Sequence, residues 1–548
     1  MVILLSIILA VQGWLLRYQV APRLVERDEQ WGGFAAALAY SSWFGALGAI
    51  GGLAGLGFIQ AWIVLTVAPL FLILPAVAAW NWLRGLFAPS VAEAGDVAGD
   101  AAMLRKLAAS FNPEFFIEDE RARKKAKAAP DSVFMGLDGE RRPLYLPRHI
   151  VDKNHVEILG ESGTGKSSIA GVMLAQLAAL GECVVVFDPK ADRNLPGALA
   201  RAGDRYGYPF HILDLRPQAD FPQINPFSGC RADQVEELLQ VALELGKTGD
   251  GGVDFYRGKD REATSFIAEA LADGKTDMLE ILAKAGADER VVEQENLWRE
   301  LRQLGRVKAL HTSGGLDLEA VLSRPGVLYV IGSTTRLEVV AAQKLILQRI
   351  LQILDERRDQ SMAVALFLDE LKYLLSPAAL RAAGTIRDRN CHLIFAHQSL
   401  GDLDDCPGLN PKAVRGAIWG NSGIKIAYRM LDAQTAAELS KIAGQSVIEA
   451  QTTTESDSGT SVSTRKDRRE YMPPHVFTHL PKPASGEASV GAVFGLGPAF
   501  YLSTRYIESG PCPEPVRAQA PAPNEPTPAR GVEPAAERQA DDLADLLK

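Results

Sequence analysis

Nine consecutive residues, Gly160, Glu161, Ser162, Gly163, Thr164, Gly165, Lys166, Ser167 and Ser168, place glycines, a lysine and hydroxyls at the spacing GxxxxGK[ST]. Glycines at these points let backbone N–H groups curl around phosphate oxygens, and a helix that starts at the lysine adds the positive end of its dipole. In such a loop Lys166 reaches the β- and γ-phosphates and Ser167 takes Mg²⁺. The pattern carries this meaning only between a strand and a helix. Both flanks comply: His155–Leu159 reads as a short strand, and Ser168–Leu180 has helical spacing. The chemistry is binding of a nucleoside triphosphate, ATP by expectation, with Mg²⁺.

Hydrolysis needs carboxylates at the end of a second buried strand. Ala363, Val364, Ala365, Leu366, Phe367 and Leu368 are six apolar residues that run into Asp369 and Glu370. Asp369 is expected in the Mg²⁺ shell, and Glu370 is expected to polarise the attacking water. A third apolar run, His392–Ala396, leads into His397 and Gln398. That places Gln398 at the next strand end, near the γ-phosphate. Nucleotide-binding expectations therefore fall on Gly160–Ser168, metal expectations on Ser167 and Asp369, and catalytic expectations on Lys166, Asp369, Glu370 and Gln398.

These groups need a scaffold that brings strand ends together. Cys183–Phe187, Phe210–Leu213 and Val327–Ile331 are further apolar runs, and helical stretches such as Val339–Arg357 lie between them. The alternation predicts a doubly wound α/β domain with a mostly parallel sheet, whose ligands sit at the carboxyl ends of strands. Between the third and fourth core strands, Arg231–Leu310 is rich in helix formers. Apolar spacing of three to four residues recurs over Asp233–Leu245, Glu262–Ala272 and Leu279–Ala285. Gln451–Arg469, polar and rich in Ser and Thr, reads as a long surface loop.

The rest of the chain is of two kinds. Gln30–Leu83 holds no charged residue in 54 positions. As one helix it would reach about 80 Å against a hydrocarbon core of ~30 Å, so two crossings, Phe34–Leu56 and Gln60–Leu83, are expected. Met1–Leu16 is a third apolar stretch, leaving the number of spans at two or three. Arg84, Arg105, Lys106 and the basic residues of 121–127 follow the last span, which puts everything after it in the cytoplasm by the positive-inside tendency. At the other end, the prolines of Pro511–Pro534 mark a linker with polyproline II character, and Ala535–Lys548 reads as a disordered acidic end. With 67 acidic and 58 basic side chains, net −9, the chain is not a protein that coats nucleic acid with its whole surface. Five scattered cysteines without a CxxC pair give neither a disulfide framework nor a zinc pattern.

Taken together, these residues resemble the type IV coupling proteins, the TraD/TraG family of conjugative DNA translocases, over roughly Val151–Leu480. Further matching segments are Asp188-Pro189-Lys190, Ile224–Phe227, Gly384–Arg387, His397–Leu400 and Gly420–Lys425, with Asp432 and Thr435 beyond. The resemblance implies a RecA-like P-loop NTPase core with an inserted all-α domain, preceded by an N-terminal transmembrane helical hairpin. It divides the chain into a membrane anchor (1–90), a basic juxtamembrane linker leading into the core (91–150), a first core part (151–228), the helical insert (229–310), a second core part (311–510) and the tail (511–548). It implies a homohexameric ATPase of the bacterial inner membrane at the mouth of a type IV secretion channel. Its partners would be single-stranded, relaxase-linked DNA, the relaxase with accessory relaxosome proteins, and channel components. It also implies that Arg387 acts across the subunit boundary on the neighbour's nucleotide, with Arg389 as the alternative. His397 stands where the family pattern leads one to expect an apolar residue. Three other readings remain: an FtsK-like DNA pump, a coupling ATPase for protein effectors, and a non-hydrolysing membrane scaffold.

Overall fold

A computed structural model describes residues 97–247, 251–271, 276–456 and 459–518. The expected membrane segments and the acidic end lie outside the described residues. Among the described residues, no helix is long and apolar enough to cross a membrane.

One sheet of eleven strands organises the described chain. In chain order its strands are β1 (Val133–Asp138), β2 (Pro143–Leu146), β3 (Val156–Leu159), β4 (Cys183–Asp188), β5 (Phe210–Asp214), β6 (Gly326–Ile331), β7 (Val364–Leu368), β8 (Cys391–His397) and β9 (Ile424–Ala427). A polar hairpin, β10 (Gln445–Ser456) and β11 (Gly459–Glu470), stands apart, and β12 (Ser489–Phe494) and β13 (Phe500–Thr504) rejoin the sheet. The spatial order is β2-β1-β13-β12-β9-β3-β8-β7-β4-β6-β5. From β9 to β5 every neighbour is parallel, and from β9 to β2 every neighbour is antiparallel.

Parallel strands covered on both faces must be apolar at every position. β4, β6, β7 and β8 are buried throughout, and successive residues feed opposite cores. Val184, Val186, Phe367 and Ile394 pack with helix α1 (Lys166–Ala179) and helix α2 (Leu195–Tyr206). Val185, Phe187, Leu366, Leu393 and Phe395 pack on the other face. There they meet α3 (Ala232–Ala242), α4 (Gly251–Glu269), α5 (Met278–Ala287) and α6 (Glu295–Leu304) of the insert, together with α7 (Leu337–Glu356). The insert is thus continuous with the sheet's own core. Polar contacts fasten it to α7: Arg231 to Glu356 at 2.8 Å, Lys344 to Glu244 at 2.5 Å, and Gln352 to Glu237 at 2.8 Å.

Three expectations change. The segment expected as a linker is more than that over 133–146, because β1 pairs with β13 and β2 with β1, extending the sheet. Residues 451–456 and 459–469 are not a loop but belong to an antiparallel ribbon, in register from Gln445↔Glu470 to Ser456↔Gly459. Repeated Thr and Ser supply β-branched and hydroxyl side chains without apolar alternation, which is why a two-faced polar strand reads as loop. The insert also contains α6, whose Leu297, Leu301 and Leu304 at helical spacing are all buried.

His397 proves to be the partner of a buried glutamate. Glu157 lies in the middle of β3, and its Oε1 is 2.8 Å from His397 Nε2 while its Oε2 is 3.0 Å from Lys425 Nζ. Three adjacent strands, β8, β3 and β9, are therefore clamped beneath the phosphate loop. Hydrogen bonds from His397 and the charges of His397 and Lys425 outweigh desolvation and hold the Glu157 carboxyl below its usual range.

A second polar cluster, at the opposite strand ends, contributes to the pH response. His155 Nδ1 accepts from the Leu393 amide at 3.1 Å, so Nε2 carries the proton given to the Ala383 carbonyl at 2.9 Å. Burial pulls His155 down to about 4, and burial aided by His155 and Arg148 pulls His392 down to about 3. Beside His392, Glu182 is pushed up to about 8 by burial and by Asp152, with Arg148 opposing. Between those low values and 6.5 the two histidines bind fewer protons folded than unfolded, so stability falls as pH drops below 6.5. Glu182 binds more protons folded than unfolded from 4.5 up to about 8, and its contribution is lost as pH rises through that span. Within this cluster, two protons against one amount to a loss of about 1.4 kcal/mol per pH unit on the acid side. Thermal melts between pH 4 and 6.5 should show a His392→Gln variant losing less stability on acidification than the unaltered protein, and parallel curves would contradict this role for His392.

Candidate nucleotide-binding site

β3 ends at Leu159, the loop runs from Gly160 to Gly165, and α1 starts at Lys166. Gly160, Gly163 and Gly165 have φ of 145°, 74° and 125°, the region that favours glycine. A Cβ on Gly160 would come within 2.8 Å of Thr164 Oγ1 and Tyr428 Cβ, so the loop closes only with glycine there. Thr164 Oγ1 donates to the Glu161 carbonyl at 2.8 Å and tightens the curl. Lys166 lies inside the loop, donating to the carbonyls of Gly160 at 2.6 Å and Glu161 at 3.1 Å. Burial pulls its ammonium below the ordinary lysine range, against Asp369 and Glu370, which favour the charge. Gly165 caps α1 without a side-chain hydrogen bond. The first-turn amides are thus directed at the loop's mouth, the arrangement that takes an anion.

Register brings the remaining carboxylates and the glutamine to the same edge. Leu159 lies beside His397 across β3 and β8, and Leu368 lies beside Phe395 and Phe187. The strand order β3, β8, β7, β4 therefore sets out the phosphate loop, Gln398, Asp369 with Glu370, and Asp188 in a row. Burial, with Asp188 and Glu370 close by, pushes the Asp369 carboxyl up to about 7 against the pull of Lys166 and Lys190. Asp188 is likewise raised by burial, although Tyr329 Oη donates to its Oδ2 at 2.6 Å and the Lys190 amide to its Oδ1 at 3.0 Å. Such a crowd of carboxylates is short of positive charge, and a divalent ion held by Asp369 and the half-buried Ser167 would supply it. Glu370, 2% exposed and left-handed at φ 46°, forms an ion pair with Lys190. The Gln398 loop is pinned from both sides: its own amide donates to Asp402 at 2.8 Å, and the Leu400 amide donates to Thr435 Oγ1 at 2.9 Å, on helix α8 (Ala433–Ala443).

Arg387 is the one candidate not brought to this edge. It lies in a 3-10 turn, Ile386–Arg389, just before β8 begins, and so at the far end of a strand about 20 Å long. Its Nη1 donates to the Lys153 carbonyl at 3.3 Å. Arg389 is engaged by Asp355 at 3.0 Å. Two lysines outside the expected set also reach the site: Lys190, paired with Glu370, and Lys482, whose Nζ is 3.9 Å from where a Gly163 Cβ would stand. No local signal marks Lys482, since only the return of β12 beside β9 carries it over the loop.

Comparison with known proteins bears out the resemblance. A family profile described as the TraM recognition site of TraD and TraG matches residues 363–482, and one described as the central domain of helicase HerA matches residues 137–197. Mobilization protein A of Escherichia coli is 32% identical over 306 residues, which cover 54% of this chain and 55% of that protein. The chain thus spans about half the length of this curated relative. Among solved structures, the bacterial conjugative coupling protein TrwBdeltaN70 aligns with a TM-score of 0.53 at 15% identity, covering 73% of this chain and 93% of its own. Plasmid coupling protein TrwB in complex with ADP and Mg²⁺ aligns at 0.51 and 16% identity, covering 71% and 92%. At these identities the structural likeness speaks to the fold: a P-loop-type mixed α/β sheet.

Proposed function

We propose that this chain is the coupling ATPase of a conjugative system, a motor that brings a relaxase-bound DNA strand to a type IV secretion channel and drives its transfer. The observation that carries the reading is the row formed by the phosphate loop, Gln398 and Asp369–Glu370 on β3, β8 and β7; Asp369, Glu370 and Gln398 fall in the segment that matches TraD and TraG, and the loop falls in the one that matches the HerA central domain. The donor set suits ATP with Mg²⁺, the metal carried by Ser167 and Asp369. Bound there, the cation would neutralise charge that develops on the phosphates. Lys166 would swing from its two carbonyls onto the β- and γ-phosphates, Glu370 would orient and deprotonate the attacking water, and Gln398 would contact the γ-phosphate. Arg387, remote from its own loop, suits a finger that completes a neighbour's site in a homohexamer. The charge-free stretch Gln30–Leu83 supports anchoring in the inner membrane, and its basic flank supports a cytoplasmic motor.

DNA as cargo is tested through salt. Contacts to phosphates release counterions, so DNA-stimulated ATP turnover should fall at least tenfold between about 50 and 200 mM salt. Stimulation that is unaffected by salt would instead favour a protein effector as cargo. Deletion of the gene should abolish plasmid transfer in matings.

A further inference from the structure

Beside the phosphate loop is a cavity of about 430 Å³ that catalysis as described leaves unused. Ser168, Pro483, Gly486, Ser489, Tyr506 and Glu508 line it, and Gly163 forms its border with the loop. Its position follows from the direction of a bound triphosphate. With the β- and γ-phosphates at Lys166, the α-phosphate lies over the first turn of α1, and the sugar and base continue past Ser168. The cavity offers them room on that side.

The walls are unequal in chemistry. The charged side chains already have protein partners: Arg505 donates to the Phe111 carbonyl at 2.8 Å, Glu508 pairs with Arg201, and Glu487 accepts from the Ala484 amide at 2.8 Å. Tyr506 differs. The residue is 43% exposed, and its hydroxyl lies against Ser168 and Ser167. An aromatic side chain that lines the cavity is thereby anchored beside the start of α1.

We propose that this cavity is the nucleobase subsite and that Tyr506 is its stacking platform, a substrate-binding residue that fixes affinity rather than the chemical step. The inference rests on the P-loop reading above and extends it to the base. Stacking of a base on an aromatic ring contributes enough that its loss weakens binding by about tenfold. Inorganic tripolyphosphate carries the phosphates without the base and separates the two subsites.

In the full-length protein, Tyr506→Ala should raise the KM for ATP about tenfold and leave kcat within about twofold. The inhibition constant of tripolyphosphate should not move, and Tyr506→Phe, which keeps the ring, should restore most of the lost affinity. An unchanged KM, or equal weakening of ATP and tripolyphosphate, overturns the assignment. As a check that needs no variant, photolabelling of the unaltered protein with 8-azido-ATP should mark residues within 483–508, and label confined elsewhere overturns it too. If the unaltered protein neither hydrolyses ATP nor loses nucleotide binding on Lys166→Ala, the P-loop reading itself fails. Turnover that is normal but indifferent to Tyr506 sinks the base subsite alone.

Discussion

Replacing Glu370 with glutamine should leave ATP binding within about twofold of the unaltered protein and slow hydrolysis by about a thousandfold, the scale of a lost general base. Glutamine keeps the size and hydrogen-bonding reach of the side chain, so the fold gives no reason for nucleotide affinity to change. What it removes is the one carboxylate at this edge held in a special backbone conformation. Glu370 stands two residues past the end of β7 at Leu368, turns left-handed at φ 46°, and is nearly sealed from solvent. A non-glycine residue in that region carries a cost of about 1–3 kcal/mol, tolerated where the surroundings over-determine the position. Here β7 on one side and the Lys190 ion pair on the other do so. Equilibrium titration with ATP together with single-turnover hydrolysis measures both halves of the prediction. Undiminished hydrolysis would move the base role to another carboxylate of the row, with Asp188 the nearest alternative.

The parts of this site that the sequence displayed are those in which neighbours in space are also neighbours in chain. GxxxxGK[ST] between strand and helix, and six apolar residues ahead of two acids, carry their geometry locally. His397 shows where that stops. In isolation it departs from an apolar pattern, and Glu157 is an unremarked polar residue within a short strand. Only the parallel pairing of β3 with β8 and β9 makes them one buried cluster with Lys425. Lys190 and Lys482 likewise reach the site through tertiary return, one beside the carboxylates and the other over the phosphate loop. The antiparallel strands at the far edge were hidden for the same reason, since β1 finds its partner β13 at the opposite end of the described chain. Helix α6 is harder to read from its sequence, because its leucines at helical spacing are interleaved with charged and polar residues.

Arg387→Ala should reduce ATP hydrolysis about a thousandfold, within the range for an arginine finger, and the defect should be repaired by subunits that are themselves dead. The reason is positional. Arg387 and Gln398 lie at opposite ends of β8, so no side-chain rearrangement brings this guanidinium to its own phosphate loop. If it contributes to hydrolysis, it does so across a boundary. Mixed equally with Glu370→Gln subunits, an Arg387→Ala subunit offers an intact loop and glutamate to a neighbour that still has its arginine. Random mixing in a ring makes about one boundary in four competent. Mixed assemblies should therefore hydrolyse ATP at a substantial fraction of the unaltered rate, whereas either variant alone is inactive. Arg389→Ala serves as the local control, because that side chain is engaged by Asp355 and its loss should leave most of the activity. Two dead variants that stay dead when mixed would place Arg387 in its own subunit's structure, where its bond to the Lys153 carbonyl ties the turn before β8 to the chain entering β3. Recovery would establish that the catalytic site is complete only between two copies of the chain.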